Sequence, residues 1–191
     1  MNALILDGTI EKTAFSDRSL EALQEVLDKQ SITSETVVLR EQTIAYCRGC
    51  FDCWVKTPGI CVINDEARNT TKKMIQSDLI VYFTPIVFGG YSHFLKAQLD
   101  RSICLVHPKF GKFHGEIHHR KRYETYPSMF GVGLLSDNNP EQADLFREHI
   151  YRNSVNLHSP SIASVILQSN FDYQKVTQTI GEALVDMEVS V

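Results

Sequence analysis

Four cysteines crowd one short stretch of this 191-residue chain, Cys47, Cys50, Cys53 and Cys61, in the spacing Cys-x2-Cys-x2-Cys-x7-Cys. Two-residue gaps let successive thiolates converge on one centre, and iron–sulfur clusters take four such ligands. Zinc sites favour paired cysteine knuckles, which a tight triplet does not match. A fifth cysteine, Cys104, falls beside Ile103 on a helical face and reads as core. An odd number so distributed is no secreted disulfide framework. Thiols that stay reduced suit a reducing compartment, so the expected location is the cytoplasm.

Three further segments carry groups suited to an anionic, flat ligand. The first runs Asp7–Ser19 and holds Thr9, Thr13, Ser16 and Ser19 with the cations Lys12 and Arg18. Hydroxyls and free backbone N–H groups at a helix start suit a phosphate. The same residues also serve ordinary capping by Ser16 or Asp17, and the Asp17 carboxylate would compete with a phosphate. The second segment is Thr84-Pro85-Ile86-Val87-Phe88-Gly89-Gly90-Tyr91-Ser92. Pro85 fixes the exit direction, Gly89-Gly90 let the backbone approach a flat ligand, and Phe88 and Tyr91 offer apolar contact. A tight turn packed by its aromatics would look the same. The third, Ser136-Asp137-Asn138-Asn139, also reads as an Asx-type cap. Gly131-Val132-Gly133 lacks the third glycine of a dinucleotide fingerprint.

The elements that must position these groups alternate along the chain. Ala3–Leu6, Val37–Leu39, Leu79–Phe83, Phe130–Leu135 and Val165–Leu167 read as strands. Leu20, Leu23 and Leu27, then Ala67, Thr71 and Met74, then Leu95, Leu99, Ile103 and Val106, then Ala143, Phe146 and Ile150, then Val176, Ile180 and Ala183 recur at helical spacing. Asn64 and Asp65 are candidate caps, and Asn139-Pro140 opens a helix with Gln142 placed for a capping box. Five strands alternating with helices imply an α/β fold with a parallel sheet covered on both faces. Ligands bind such sheets beyond the carboxyl ends of the strands, where the three segments fall. The expected organisation is one domain over 1–191 with a cysteine-rich insertion at 44–64 and a basic, histidine-rich insertion at 107–127. The second insertion lacks periodicity and reads either as a solvated loop or as a lid or subunit contact.

Composition narrows the classes of function. Nineteen Lys+Arg against 23 Asp+Glu leave a formal charge of −4, which argues against non-specific nucleic-acid binding. With 43% hydrophobic residues the chain can bury a core. The longest apolar run, Leu79–Phe83, is far short of a membrane span, and the start has no basic leader.

The segment Cys47-Arg48-Gly49-Cys50-Phe51-Asp52-Cys53 with Gly59-Ile60-Cys61-Val62-Ile63-Asn64-Asp65 resembles the NAD(P)H-dependent FMN reductases and iron–sulfur flavoproteins. So does Thr84–Ser92 followed by Leu95-Lys96 and Leu99-Asp100-Arg101. The resemblance runs from Met1 to about Arg101 and more faintly beyond. It implies a flavodoxin-like, doubly wound sheet of order 2-1-3-4-5, FMN at the carboxyl ends, and a homodimer or homotetramer. By the same resemblance Thr9 and Ser16 match the hydroxyls that hold the FMN phosphate, Pro85 through Gly90 lie along the isoalloxazine ring, and Cys47, Cys50, Cys53 and Cys61 match the ligands of a 4Fe-4S cluster. Similar cysteines also occur in related reductases without a cluster. Where relatives carry Ser-Pro-Arg, this chain has Thr9-Ile10-Glu11, so Lys12 or Arg18 must offset Glu11.

The implied function is hydride transfer from NAD(P)H to FMN and on to a quinone, a free flavin or another acceptor. The cofactor does that chemistry, so no acid–base residue is required. One alternative is an iron–sulfur electron carrier whose basic residues between Lys109 and Arg122 dock an acidic ferredoxin-like donor. A third is a non-catalytic metal-binding or interaction module, with His114 and His118 at helical i, i+4 spacing beside His119, although those histidines also read as a solvated loop.

Overall fold

The computed structural model describes residues 1–188. Among these, five strands form a parallel sheet in the order β2-β1-β3-β6-β7. They are β1 (Asn2–Asp7), β2 (Thr33–Val38), β3 (Leu79–Pro85), β6 (Ser128–Leu135) and β7 (Ile162–Gln168). Counting only the sheet's own strands, this is the 2-1-3-4-5 order of a flavodoxin-like fold. Strand β3 is apolar along its length because both faces are covered. Helices α1 (Ala14–Lys29) and α6 (Tyr173–Glu188) cover one face, where Leu23, Leu27, Val176 and Ile180 meet Val81 and Phe83. Helices α3 (Glu66–Gln76), α4 (His93–Arg101) and α5 (Pro140–Asn156) cover the other, around Leu4, Leu6, Tyr82 and Phe146.

Gly131 has a packing reason. A Cβ there would stand 2.6 Å from the Ile150 side chain, so glycine lets α5 seat directly on β6. The pair Gly131 and Gly133 thus serves helix–sheet packing.

The structure redraws several expected elements. The run from Leu95 is not one helix to Val106: α4 stops at Arg101, a 3-10 turn spans Ser102–Leu105, and Val106 opens a strand. The 107–127 stretch is neither an irregular loop nor helical. Strands β4 (Val106–Phe113) and β5 (Glu116–Lys121) form an antiparallel hairpin closed by His114-Gly115, both at positive φ. His114 therefore sits in the turn and His118 on a strand, so the expected helical i, i+4 pairing does not exist. Within the cysteine segment a short helix, α2 (Asp52–Val55), appears. Asp65 takes the N-cap position of α3 but makes no capping bond; its carboxylate serves Arg101 instead. Asn139 does cap α5, accepting from the Gln142 N–H at 3.1 Å. The Gln142 side chain does not complete a capping box; its Oε1 accepts from Gly89 N at 3.3 Å.

Candidate functional site

The parallel register brings the three carboxyl-end loops together. Asp7 pairs with Phe83 and Thr84 with Gly133. Gly8 N donates to Phe83 O at 2.8 Å, Ser92 N to Thr84 Oγ1 at 3.1 Å, and Ile86 N to Leu134 O at 2.9 Å. The first loop lies against the start of α4, and the second is tied through Gly89 to α5, which follows the third. Ser136 and Asp137 are exposed at the rim, where Ser136 O accepts from Ser169 Oγ at 2.8 Å.

In the first loop, Thr13 is the N-cap of α1 and shares a capping box with Ser16. Ser16 Oγ accepts from Thr13 N at 2.9 Å and donates to Thr13 O at 3.0 Å. Thr9 Oγ1 donates to Asp7 Oδ1 at 2.6 Å and accepts from Arg40 Nη1 at 2.6 Å. Both hydroxyls matched to a phosphate are thus engaged inside the chain. Ser19 is fully buried, Arg18 donates to Ser169 O at 3.3 Å, and Lys12 and Asp17 are exposed. The N–H groups of Ala14 and Phe15, in the first turn of α1, have no intrahelical acceptor. Those donors, with Lys12, are what the loop offers an anion. Beneath it, the almost fully buried Asp7 carboxylate is balanced by Arg40 from beyond β2, at 2.9 Å.

The second loop makes a tight turn. Val87 and Gly90 exchange both backbone hydrogen bonds, with Phe88 at φ +51° and Gly89 at φ +78°. Gly89 is pressed on Leu145, where a Cβ would come within 2.7 Å. A turn so fixed holds the Phe88 ring outward, 93% exposed, despite the strain of positive φ at an aromatic residue. Pro85 and Val87 are half-buried and Ile86 is buried.

The cysteines gather round a cavity of about 770 Å³ that is also lined by Gly90, Tyr91 and residues of α4 and α5. Cys47, Cys50, Cys53 and Cys61 all line it. Cys47 and Cys50 are exposed, Cys61 is half-buried and Cys53 is buried. Burial, reinforced by the neighbouring Cys61, Cys50 and Cys47 sulfurs, pushes the Cys53 thiol up. Cys104 lies behind them in the core, and burial raises its thiol to about 12. Among the described residues, no three His, Cys, Asp or Glu side chains stand close enough together to hold a metal ion, so the four thiols share a cavity without being drawn onto one centre. Four thiols on the lining of one cavity, which Asp100 and His149 also border, offer the sulfur donors that a polynuclear iron–sulfur cluster takes.

Two residues without an expected role organise this loop. Arg101 is 1% exposed and pairs with Asp65 through both guanidinium arms, at 2.6 and 2.9 Å. Burial raises the Asp65 pKa, but the Arg101 hydrogen bonds outweigh it and hold the carboxyl below the usual range. Trp54 donates from Nε1 to Ile103 O and Val106 O at 3.2 and 3.1 Å. Its ring stacks on Phe51 and meets His119 of the hairpin, which in turn meets Phe110. Arg40, too, carries no motif or spacing that singles it out in the sequence. The available signal was charge: Asp7 closes an apolar strand, and a buried carboxylate there demands a cation.

A family model described as NADPH-dependent FMN reductase matches residues 1–121. The chain is 29% identical over 105 residues to an iron–sulfur flavoprotein of Methanosarcina thermophila, covering 55% of this chain and 54% of that protein. It is 37% identical over 82 residues to an iron–sulfur flavoprotein of Methanocaldococcus jannaschii, covering 43% and 41%. The chain spans about half the length of the curated relatives it matches. In structure it is similar to an NAD(P)H:quinone oxidoreductase from Methanothermobacter marburgensis, with TM-score 0.67, 14% identity and 96% of each chain covered. It is also similar to an FMN-dependent NADH-azoreductase from Bacillus anthracis in complex with FMN, with TM-score 0.63, 14% identity, and 100% of this chain and 98% of that one covered. At such identity these structures show the fold alone. No helix among the described residues is long and apolar enough to cross a membrane.

Proposed function

The chain belongs to the NADPH-dependent FMN reductase family, and from that premise we propose that it is an FMN-dependent oxidoreductase using NAD(P)H. Bound FMN would accept hydride at N5 and pass electrons to a small acceptor such as a quinone or a free flavin. The protein's part is to hold and orient the flavin. Backbone N–H groups of Ala14 and Phe15 with Lys12 would take the phosphate, and Arg18 would add positive charge at the rim. The Thr84–Gly90 loop would carry the ring, with Phe88 against its face. Ser136 and Asp137 would border the ribityl chain. The observation that carries this reading is the locking of the first and second loops at the strand ends by Gly8 N to Phe83 O and Ser92 N to Thr84 Oγ1. The reading includes one domain over 1–191, a homodimer or homotetramer, and a cytoplasmic location in keeping with the unpaired thiols. Purified protein incubated with FMN and desalted tests it. Retained flavin and oxidation of NADPH or NADH with a quinone or free flavin are expected; neither flavin nor turnover overturns it.

A second reading adds to the first and rests on the cysteine cavity. Cys47, Cys50, Cys53 and Cys61 would hold a 4Fe-4S cluster supplying single electrons to FMN. The hairpin beside it carries Lys109, Lys112, Arg120 and Lys121 against Glu116, a surface suited to an acidic redox protein. Iron and acid-labile sulfide assays on anaerobically prepared protein test this reading, and protein without iron ends it.

A further inference from the structure

We propose that Arg101 is the positioning residue of the cysteine centre, closing the neck of its loop and tuning the centre through the Cys61 sulfur. The inference rests on the cluster reading above. Arg101 is the largest of the fully buried side chains, and each of its guanidinium nitrogens has a partner in the cysteine segment. Nε donates to Cys61 Sγ at 3.3 Å. Nη1 donates to Ala45 O at 2.7 Å and Asp65 Oδ2 at 2.6 Å, and Nη2 donates to Ile63 O at 3.0 Å and Asp65 Oδ1 at 2.9 Å. Asp65 Oδ2 also accepts from Ala45 N at 2.9 Å. Both backbone groups of Ala45, just before Cys47, and the carbonyl of Ile63, just after Cys61, are therefore bound by one ion pair. The last turn of α4 thus closes residues 45–65 into a loop.

A planar fork is required. A lysine ammonium on its single stem cannot serve a carboxylate, two carbonyls and a sulfur from these directions together. Among the described residues, no other side chain donates a hydrogen bond to a cysteine sulfur. Donors to sulfur stabilise the more negative, reduced state of an iron–sulfur centre, and outer partners of metal ligands set both affinity and potential. Arg101 would therefore favour the reduced cluster. Asp65, the carboxylate that anchors the guanidinium, would partly offset it.

The test is an anaerobic redox titration of the cluster with dithionite, followed by electron paramagnetic resonance, on wild type, Arg101→Lys and Asp65→Asn, with iron and FMN content measured alongside. Arg101→Lys removes the donor to Cys61 and shifts the midpoint to more negative potential. Asp65→Asn removes the offsetting anion and shifts it to less negative potential. General loosening of the loop would move both variants the same way. Opposite shifts with FMN content retained support the inference. An unmoved midpoint in Arg101→Lys, or shifts of the same sign, overturn it. If Arg101→Lys does not fold, Asp65→Asn decides: a less negative midpoint supports the inference, and an unchanged or more negative one overturns it. Wild-type protein with flavin but no iron ends the cluster reading and this inference with it, an outcome distinct from a loaded cluster whose potential ignores both variants.

Discussion

Replacing Arg40 by Gln should destabilise the protein far more than loss of a surface charge, because it strands Asp7. The Asp7 side chain is 4% exposed and that of Arg40 13%, and the ion pair is 2.9 Å long. Removing one partner of a buried pair costs about 3–5 kcal/mol, since the remaining charge stays desolvated. Asp7 Oδ1 keeps two bonds, from Thr9 N at 2.9 Å and Thr9 Oγ1 at 2.6 Å, which puts the expected cost near the lower end, about 3 kcal/mol. For a domain of this size that lowers Tm by roughly 6–12 °C. Urea denaturation of wild type, Arg40→Gln, Asp7→Asn and the double variant measures it. The double variant should recover more than about 1 kcal/mol relative to Arg40→Gln, because no buried carboxylate is left unpaired. The first loop starts at this triangle, so Arg40→Gln should also weaken FMN binding. A cost under about 1 kcal/mol, with additive single and double variants, would show that the pair behaves as a solvated one and would refute the reasoning.

Other consequences are equally direct. Phe88→Gly relieves an aromatic residue at positive φ and should raise stability by about 1 kcal/mol while weakening FMN binding; unchanged affinity in a flavin titration would remove Phe88 from the ring site. Cys61→Ala should lower the iron content of anaerobically prepared protein while Cys104→Ala, a core change, leaves it unaltered; equal loss in both would contradict the assignment of ligands. His158 donates from Nε2 to His119 O at 2.7 Å and packs on Phe113 and Tyr126. Burial pushes its pKa down, against the raising effect of that bond, with Lys121 and His118 adding repulsion. A group depressed in the folded state is neutral there while the unfolded chain charges. Its contribution is full above about pH 6.5 and fades as pH falls through the lower folded value. Hydrogen-exchange protection factors in residues 106–121, corrected for the intrinsic pH dependence of amide exchange, should fall between pH 7.5 and 5.5, and His158→Gln should flatten that dependence; an equal response in both proteins would exclude His158 as its source.

How much of this was legible in the sequence follows from the range of each interaction. Leu79–Phe83 announces a doubly covered strand because five successive apolar residues fit little else. The 2-1-3-4-5 order came through resemblance, not periodicity. The hairpin escaped because its strands alternate weakly, with Lys109, Lys112, His118 and Arg120 on a two-sided polar ribbon. Its turn is His114-Gly115 in place of the more familiar Asn-Gly. A glycine two residues after Phe113 was the one local cue. The site divides in the same way. Thr84–Gly90 forms a short loop whose Pro and Gly residues constrain the backbone locally, so its shape could be read. Arg40 meets Asp7 across 33 positions and Arg101 meets Asp65 across 36, and no spacing rule spans such separations. The types of Thr9 and Ser16 suit a phosphate or a cap alike, and the internal partners Asp7, Arg40 and Thr13 lie beyond what residue type shows.

The central claim is that one chain unites a flavin loop at the strand ends with a cysteine centre beside it. Quantifying FMN, iron and acid-labile sulfide in a single anaerobic preparation, with its absorption spectrum before and after NADPH and then dithionite, tests this most directly. About one FMN, four iron and four sulfide per chain are expected, with flavin bands that bleach with NADPH and a broader visible absorption that bleaches with dithionite. Protein that retains no flavin after reconstitution, or that holds flavin but no iron and acid-labile sulfide, would contradict that claim.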